Sequence, residues 1–229
     1  MASANDNRPL RAYQASAAAE KRLRWPCAAL CLVALVVCAG CAGESPAKAR
    51  VPAELQVWVG EVASSDVAVG IVASAERSTL FFCGGNSSYA DHTHWFVDAG
   101  PLAEAAQIED GPWQVNIGSF SERMIGTLVV PGSEPAAFTA EKVALGMLAG
   151  VYDAVAPCGH AGLIVRQPTA AGPPASQGTC LESRSGSTVV EQVNPVMPLL
   201  RGADSGISAS LANDPSQQLT LHPLVLPGN

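Results

Sequence analysis

The stretch Leu55-Gln56-Val57-Trp58-Val59-Gly60-Glu61-Val62-Ala63-Ser64-Ser65-Asp66-Val67-Ala68-Val69-Gly70-Ile71-Val72-Ala73 decides the fold. Apolar residues recur at every second position, in Leu55, Val57 and Val59 and again in Val67, Val69 and Ile71. A period of two belongs to a β-strand, whose successive side chains point to opposite faces. Ser64-Ser65-Asp66 between the two runs reads as a turn. The expectation is a hairpin with those six residues facing a core and the intervening ones facing water or the other side of the sheet. Trp58, between Val57 and Val59, is then expected on the opposite face.

Working outward, short apolar or alternating runs recur at the spacing of an all-β sandwich or barrel. Beyond Leu55–Val62 and Asp66–Ala73 they are Thr79–Cys83, His94–Val97, Trp113–Ile117, Met124–Val130, Ala137–Ala140, Gly150–Ala154, Leu163–Arg166, Thr179–Leu181, Thr188–Val193 and Leu219–Val225. Turn signals separate them, among them Gly84-Gly85-Asn86, Asp110-Gly111-Pro112, Pro131-Gly132-Ser133 and Gly172-Pro173-Pro174. Only Lys142–Val151 carries a helical reading, and its two glycines hold it to one or two turns. The fold class expected is therefore all-β, an antiparallel meander closed or partly closed into a barrel, since closure removes exposed edges. From Pro195 onward, with Pro198, Pro215, Pro223 and Pro227, the chain reads as an irregular Pro-rich C-terminal extension that packs on the domain.

Composition agrees. Of 229 residues 48% are hydrophobic, while only 14% are charged and 5% aromatic. A disordered polyelectrolyte needs the reverse balance. The net charge of −7 also argues against a sequence-independent grip on nucleic-acid phosphates.

The first 53 residues read as an address and a tether. Lys21, Arg22 and Arg24 precede Trp25–Gly40, in which 14 of 16 residues are apolar. That run is shorter than the ~20 residues a membrane-spanning helix needs, and it follows a basic cluster, as in a secretory signal segment. It ends in Val37-Cys38-Ala39-Gly40-Cys41, which resembles the lipobox of bacterial lipoproteins. Ala39, Gly40 and Cys41 match that motif, and Cys38 stands where Leu is commonest. The resemblance implies cleavage after Gly40, lipidation of Cys41, and tethering to the periplasmic or extracellular face of a bacterial membrane. Residues 1–40 are thus the expected signal peptide, 41–53 a lipid-anchored tether, 54–194 the β domain and 195–229 the extension. Residues 1–40 hold five of the 13 basic and two of the 20 acidic residues. The chain from Cys41 therefore carries eight basic and 18 acidic residues, a net of −10.

Past Cys41, three cysteines remain: Cys83, Cys158 and Cys180. An oxidising compartment favours a bridge, and an odd count leaves one thiol over. Cys158–Cys180 is the favoured pairing, because both lie in a turn-rich segment and the loop they close is worth about 3 kcal/mol by chain entropy. Cys83 then becomes a buried thiol at a strand end. A Cys83–Cys180 bridge is the rival.

The series Val59-Gly60-Glu61-Val62, Asp66, Val69-Gly70-Ile71-Val72, Phe81-Phe82-Cys83-Gly84-Gly85 and Trp95-Phe96 resembles a β-meander module of exported bacterial proteins. The resemblance continues through Gly126-Thr127-Leu128-Val129, Phe138-Thr139-Ala140, Gly150-Val151-Tyr152 and Ile164-Val165. It covers about residues 55–166 and lends no activity.

Three constellations bear on chemistry. In Asp91-His92-Thr93-His94, an extended strand would turn His92 and His94 to one face, where both could reach a metal with Asp98 as third ligand. The spacing resembles one half of the His-x-His-x-Asp-His motif of metallo-β-lactamase-like hydrolases, whose further histidine is lacking. Ala203-Asp204-Ser205-Gly206 resembles the nucleophile segment of chymotrypsin-like proteases, with His160 the histidine preceding it. Trp58, Trp95 and Trp113, with Tyr89 and Tyr152, could form an aromatic platform for a glycan or peptide, although core use is the commoner fate of such residues. Glu109-Asp110 and Asp66 read as solvated turns. No phosphate loop or other cofactor fingerprint is present.

The reading that follows is a cell-envelope lipoprotein serving as a non-catalytic binding or structural β module, without a cofactor. Its expected partners are the membrane, through Cys41, and an envelope protein or glycan. A metal-dependent hydrolase using His92 and His94, and an inhibitor-like barrel acting on an envelope-directed enzyme, are the alternatives.

Overall fold

In the computed structural model, residues 54–167, 174–184 and 187–226 are described. The chain forms fourteen strands, and no helix occurs among the described residues. They are β1 (Gln56–Val62), β2 (Ala68–Ala73), β3 (Ser78–Cys83), β4 (His94–Phe96), β5 (Gln107–Asp110), β6 (Trp113–Phe120) and β7 (Arg123–Val129). The second half supplies β8 (Ala136–Val143), β9 (Gly150–Ala156), β10 (Gly159–Arg166), β11 (Ala175–Arg184), β12 (Ser187–Pro195), β13 (Ile207–Leu211) and β14 (Gln218–Pro223).

All pairings are antiparallel, and they make two sheets. The first has the order β4-β3-β2-β1-β8-β7-β6-β5, so two four-stranded meanders are joined where β1 meets β8. Its outer strands come together at a side-chain seam, where His94 of β4 meets Asp110 of β5 at 3.0 Å. The second sheet closes completely as β10-β11-β12-β13-β14-β9. The expected antiparallel barrel is thus present, preceded in the chain by a nearly closed eight-stranded sheet.

Three apolar clusters follow from this arrangement. Trp58, Val69, Ile71, Leu80, Phe82, Val115, Met124, Leu128 and Phe138 fill the curl of the first sheet. Tyr152, Leu163, Val165, Val193, Ile207, Leu211 and Leu221 fill the barrel. A third cluster, with Val59, Val72, Phe81, Trp95, Val151 and Ile164, lies between the two sheets. Strands β2 and β3 are consequently buried at every position.

The first hairpin forms as expected, with a different assignment of faces. Trp58 stands opposite Ile71, and Val59 opposite Gly70. Partners directly across a ladder share a face. Trp58 therefore joins Val69 and Ile71 inside the first sheet, while Val59 faces the barrel. Both faces are apolar because both are covered, a situation in which alternation alone cannot say which face is the core.

The helical reading of Lys142–Val151 is overturned. Lys142 and Val143 complete β8, Gly150 and Val151 open β9, and a turn closed by Met147 N–H donating to Ala144 O (3.2 Å) lies between. Gly146 adopts φ of 86°, a left-handed conformation that glycine enters without steric cost. The stretch after Pro195 is also more regular than expected, because it supplies β13 and β14 and so two staves of the barrel. In β13 Ile207, Ala209 and Leu211 point inward, while Ser208 and Ser210 point out.

Candidate functional site

A polar cleft of about 320 Å³ opens where the loops at one end of the first sheet meet β11 and β12 of the barrel. Asp66, Gly84, Gly85 and Asn86 line one wall, and Ser176, Gln177, Gly178, Gln192, Val193, Asn194 and Pro195 the other. Alternation places these side chains. Ser176 and Gly178 flank Gln177 on β11, and Gln192 and Asn194 flank Val193, which belongs to the barrel core.

The sheet-side wall is held by a carboxylate. Asp66 accepts hydrogen bonds from Ser87 N–H (3.0 Å), the Ser87 hydroxyl (2.5 Å) and the Ser88 hydroxyl. The Ser87 and Ser88 hydroxyls stabilise the ionised form and lower its pKa to about 2, so the group is a fixed anion at neutral pH. Gly85 is required beside it, since a Cβ there would stand 2.7 Å from Asp66 Cγ.

Two carboxamides tie the walls together. Gln177 Nε2 donates to Asp66 O at 2.8 Å and to Cys83 O, and Gln192 Nε2 donates to Asn86 Oδ1 at 2.9 Å. Behind them the Cys83 thiol is fully buried, 3.6 Å from Thr179 Oγ1, and burial pushes its pKa up to about 12. A group so held stays a thiol, which removes it as a nucleophile.

The residues singled out from sequence lie elsewhere. His94 is occupied at the β4–β5 seam, hydrogen-bonded to Asp110 and stacked on Trp113 with ring centroids 4.7 Å apart. Burial lowers its pKa below the ordinary histidine value, with Asp110 acting in the opposite sense. Asp98 faces Arg77 at 3.6 Å, and His92 Nδ1 is buried without a hydrogen-bond partner among the described residues. No three His, Cys, Asp or Glu side chains among the described residues gather as a metal site.

The tryptophans do not form a shared exposed platform. Trp58 is buried in the first sheet, where its Nε1 donates to Ser121 O at 2.8 Å. Trp95 is buried between Phe81 (4.0 Å) and His160 (4.3 Å) in a continuous stack, and Trp113 backs the seam. Packing between two covered sheets has claimed the apolar rings that an open sheet would have displayed.

Ala203-Asp204-Ser205-Gly206 is a tight turn before β13. Ser205 has φ of 65°, and Asp204 Oδ1 accepts from Gly206 N–H at 3.0 Å. His160 meets Asp153 at 3.2 Å, and no hydrogen bond joins it to Ser205. The Cys158–Cys180 disulfide is present, linking the β9–β10 turn to β11, and Cys83 is free and buried. Cys41 and the leader lie outside the described residues.

Sequence reasoning missed Asn86, Gln177, Gln192 and Asn194, and it took Asp66 for a solvated turn. Gln177 and Gln192 act on partners 111 and 106 residues away, so no local motif marks them. Gly84-Gly85-Asn86-Ser87-Ser88 was the one available signal, and it was legible only as a turn. No family model, curated protein or solved structure matches the chain.

Proposed function

We propose that the protein is an exported, lipid-anchored binding module whose amide-lined cleft takes a neutral, hydroxyl-rich ligand, a segment of envelope glycan. The observation that carries this reading is the convergence of Asn86, Gln177, Gln192 and Asn194 on one cleft beside Ser176. Carboxamides both donate and accept, which matches hydroxyl groups that also do both. Ligand sites combine a concave surface with a few such placed polar groups. The fixed anion at Asp66 disfavours a negatively charged ligand by like-charge repulsion. Asp66, the one ionisable side chain among the named lining residues, is already engaged by Ser87 and Ser88.

The anchor rests on the basic cluster, the apolar run and Ala39-Gly40-Cys41. Cys41→Ser should yield an unprocessed precursor without lipid, and normal maturation of that variant would refute the leader reading. For the cleft, the full chain should retain one or more neutral oligosaccharides on a glycan array. Gln192→Ala and Asn194→Ala should each weaken that binding about tenfold, roughly 1.4 kcal/mol. Retention of none, or retention that both substitutions leave intact, would refute the glycan reading.

A further inference from the structure

Exposed apolar side chains gather at one end of the fold. Three segments meet there: residues 144–149 between β8 and β9, residues 196–201 after β12, and residues 224–226 after β14. Arg201 joins the first two, donating through Nη1 to Gly146 O (3.0 Å) and through Nη2 to Met147 O. It also reaches the Tyr152 hydroxyl, which itself donates to Leu148 O at 2.6 Å. Leu224 and Leu226 pack with Val143, Ala149 and Val151, and Leu224 N–H donates to Val151 O at 2.9 Å.

The buried leucines of these segments leave their neighbours outside. Leu145, Met147, Met197, Leu200 and Val225 are all exposed, between 49% and 68%. Burying such side chains in core is the usual outcome, and exposed ones gathered at one place mark an interaction surface. None of the three segments contains a carboxylate, in a chain that has 20 acidic residues. Their only charge is Arg201, whose guanidinium is spent on holding the loops in place.

The point at which the chain enters the fold bears on the partner. β1 pairs with β8 through Val57 and Val143, so two residues further along lie Leu55 and Leu145 at the same strand end. The chain from Cys41 therefore enters the fold beside the exposed Leu145, after 14 residues that span at most about 50 Å. We propose that this end, presenting Leu145, Met147, Met197, Leu200 and Val225, lies against the lipid surface to which Cys41 is attached. The proposal rests on the lipoprotein reading. An acidic body is repelled by anionic headgroups, and the three segments that carry these five side chains hold no carboxylate of their own. Apolar side chains enter the headgroup boundary while the anchor supplies the second attachment that stable membrane association needs. The body would thereby stand in one orientation on the membrane.

The test uses the full, lipidated chain in phosphatidylcholine vesicles that contain a lipid with a photoactivatable diazirine on its acyl chain. After flotation and irradiation, labelled residues are mapped by mass spectrometry. Label is expected in residues 144–149 and 196–201, and not at Val155 (96% exposed) or Val189 (43% exposed), which serve as exposed controls towards the other end of the barrel. The double variant Leu145→Ser, Leu200→Ser should lower that label at least fivefold while the protein still floats. Label confined to the Cys41 peptide in a floating protein would overturn the membrane-facing surface and leave the anchor standing. Equal label at Val155 and Val189, or a copy-to-copy crosslink in place of lipid label, would also overturn it. A protein that does not float removes the anchor itself.

Discussion

Asp66 shows how one residue acquires a role that its local sequence does not announce. It follows Ser64-Ser65 in an ordinary turn, yet its carboxylate organises the Gly85–Ser88 loop from the neighbouring hairpin. Its pKa falls to about 2 in the fold, against 3.8 without those partners. Between these values the unfolded chain takes up the proton and the folded chain does not. The contribution is therefore fully present above pH ~4 and is lost as pH falls through about 2. In urea titrations, the wild type should lose more stability than Asp66→Asn between pH 4 and pH 2. The Asn variant should be the less stable of the two at pH 7. Parallel pH profiles for the two proteins would mean that the Ser87 and Ser88 hydroxyls do not hold this carboxylate.

At the scale of elements, the strongest alternations were legible and the weakest were not. β1 and β2 stand out because valine and isoleucine recur at every second position, and both form. β5 was missed because it is a polar strand on the open side of its sheet, Gln-Ile-Glu-Asp, where charge discourages edge pairing and carries no hydrophobic period. β13 was missed because Ser208, Ala209 and Ser210 have weak strand preference, and only tertiary closure makes them a stave. The assignment of faces failed at β1 for another reason: parity of register depends on the length of the intervening turn, which composition does not state. The cleft was illegible because its two walls come from segments far apart in the chain, tied by hydrogen bonds that span 94 to 111 residues. The disulfide was legible because its cysteines lie close in the chain, at a separation of 22, in a turn-rich segment. Cys158→Ala with Cys180→Ala should lower the unfolding free energy by about 3 kcal/mol in urea titrations, through the freed loop of the denatured chain. A loss below about 0.5 kcal/mol would show that the β10–β11 hairpin holds that loop closed without the bond.

At the scale of the whole molecule, the question is whether sheet and barrel unfold together. Each has an interior of its own, which by itself would permit two transitions. The third cluster argues for one, because its members are borrowed from both. Ile164 is fully buried and belongs to a barrel strand, while Phe81 and Trp95 belong to the first sheet. The contact is close enough to dictate sequence: a Cβ at Gly162 would stand 2.6 Å from Phe81 Cε1 and would press into the Trp95 ring. Gly70 answers it from the other side, where a Cβ would be 2.6 Å from Val151 Cγ2. Neither half can then lose its shape without exposing the apolar face of the other. Removing the barrel would uncover Val59, Val72 and Phe81 together, each worth roughly 1.5–3 kcal/mol when buried. Calorimetry should therefore show a single transition with equal calorimetric and van't Hoff enthalpies. Ile164→Ala should cost about 2–5 kcal/mol, and Gly162→Ala about 1–3 kcal/mol through overpacking of the stack. Both variants should move that one transition as a whole, read alike by tryptophan fluorescence, which reports on the first sheet, and by proteolysis within the barrel. Separate midpoints for the two probes in the wild type would show two independent units in contact. A shift confined to the barrel probe in Ile164→Ala would place that residue's contribution on one side only.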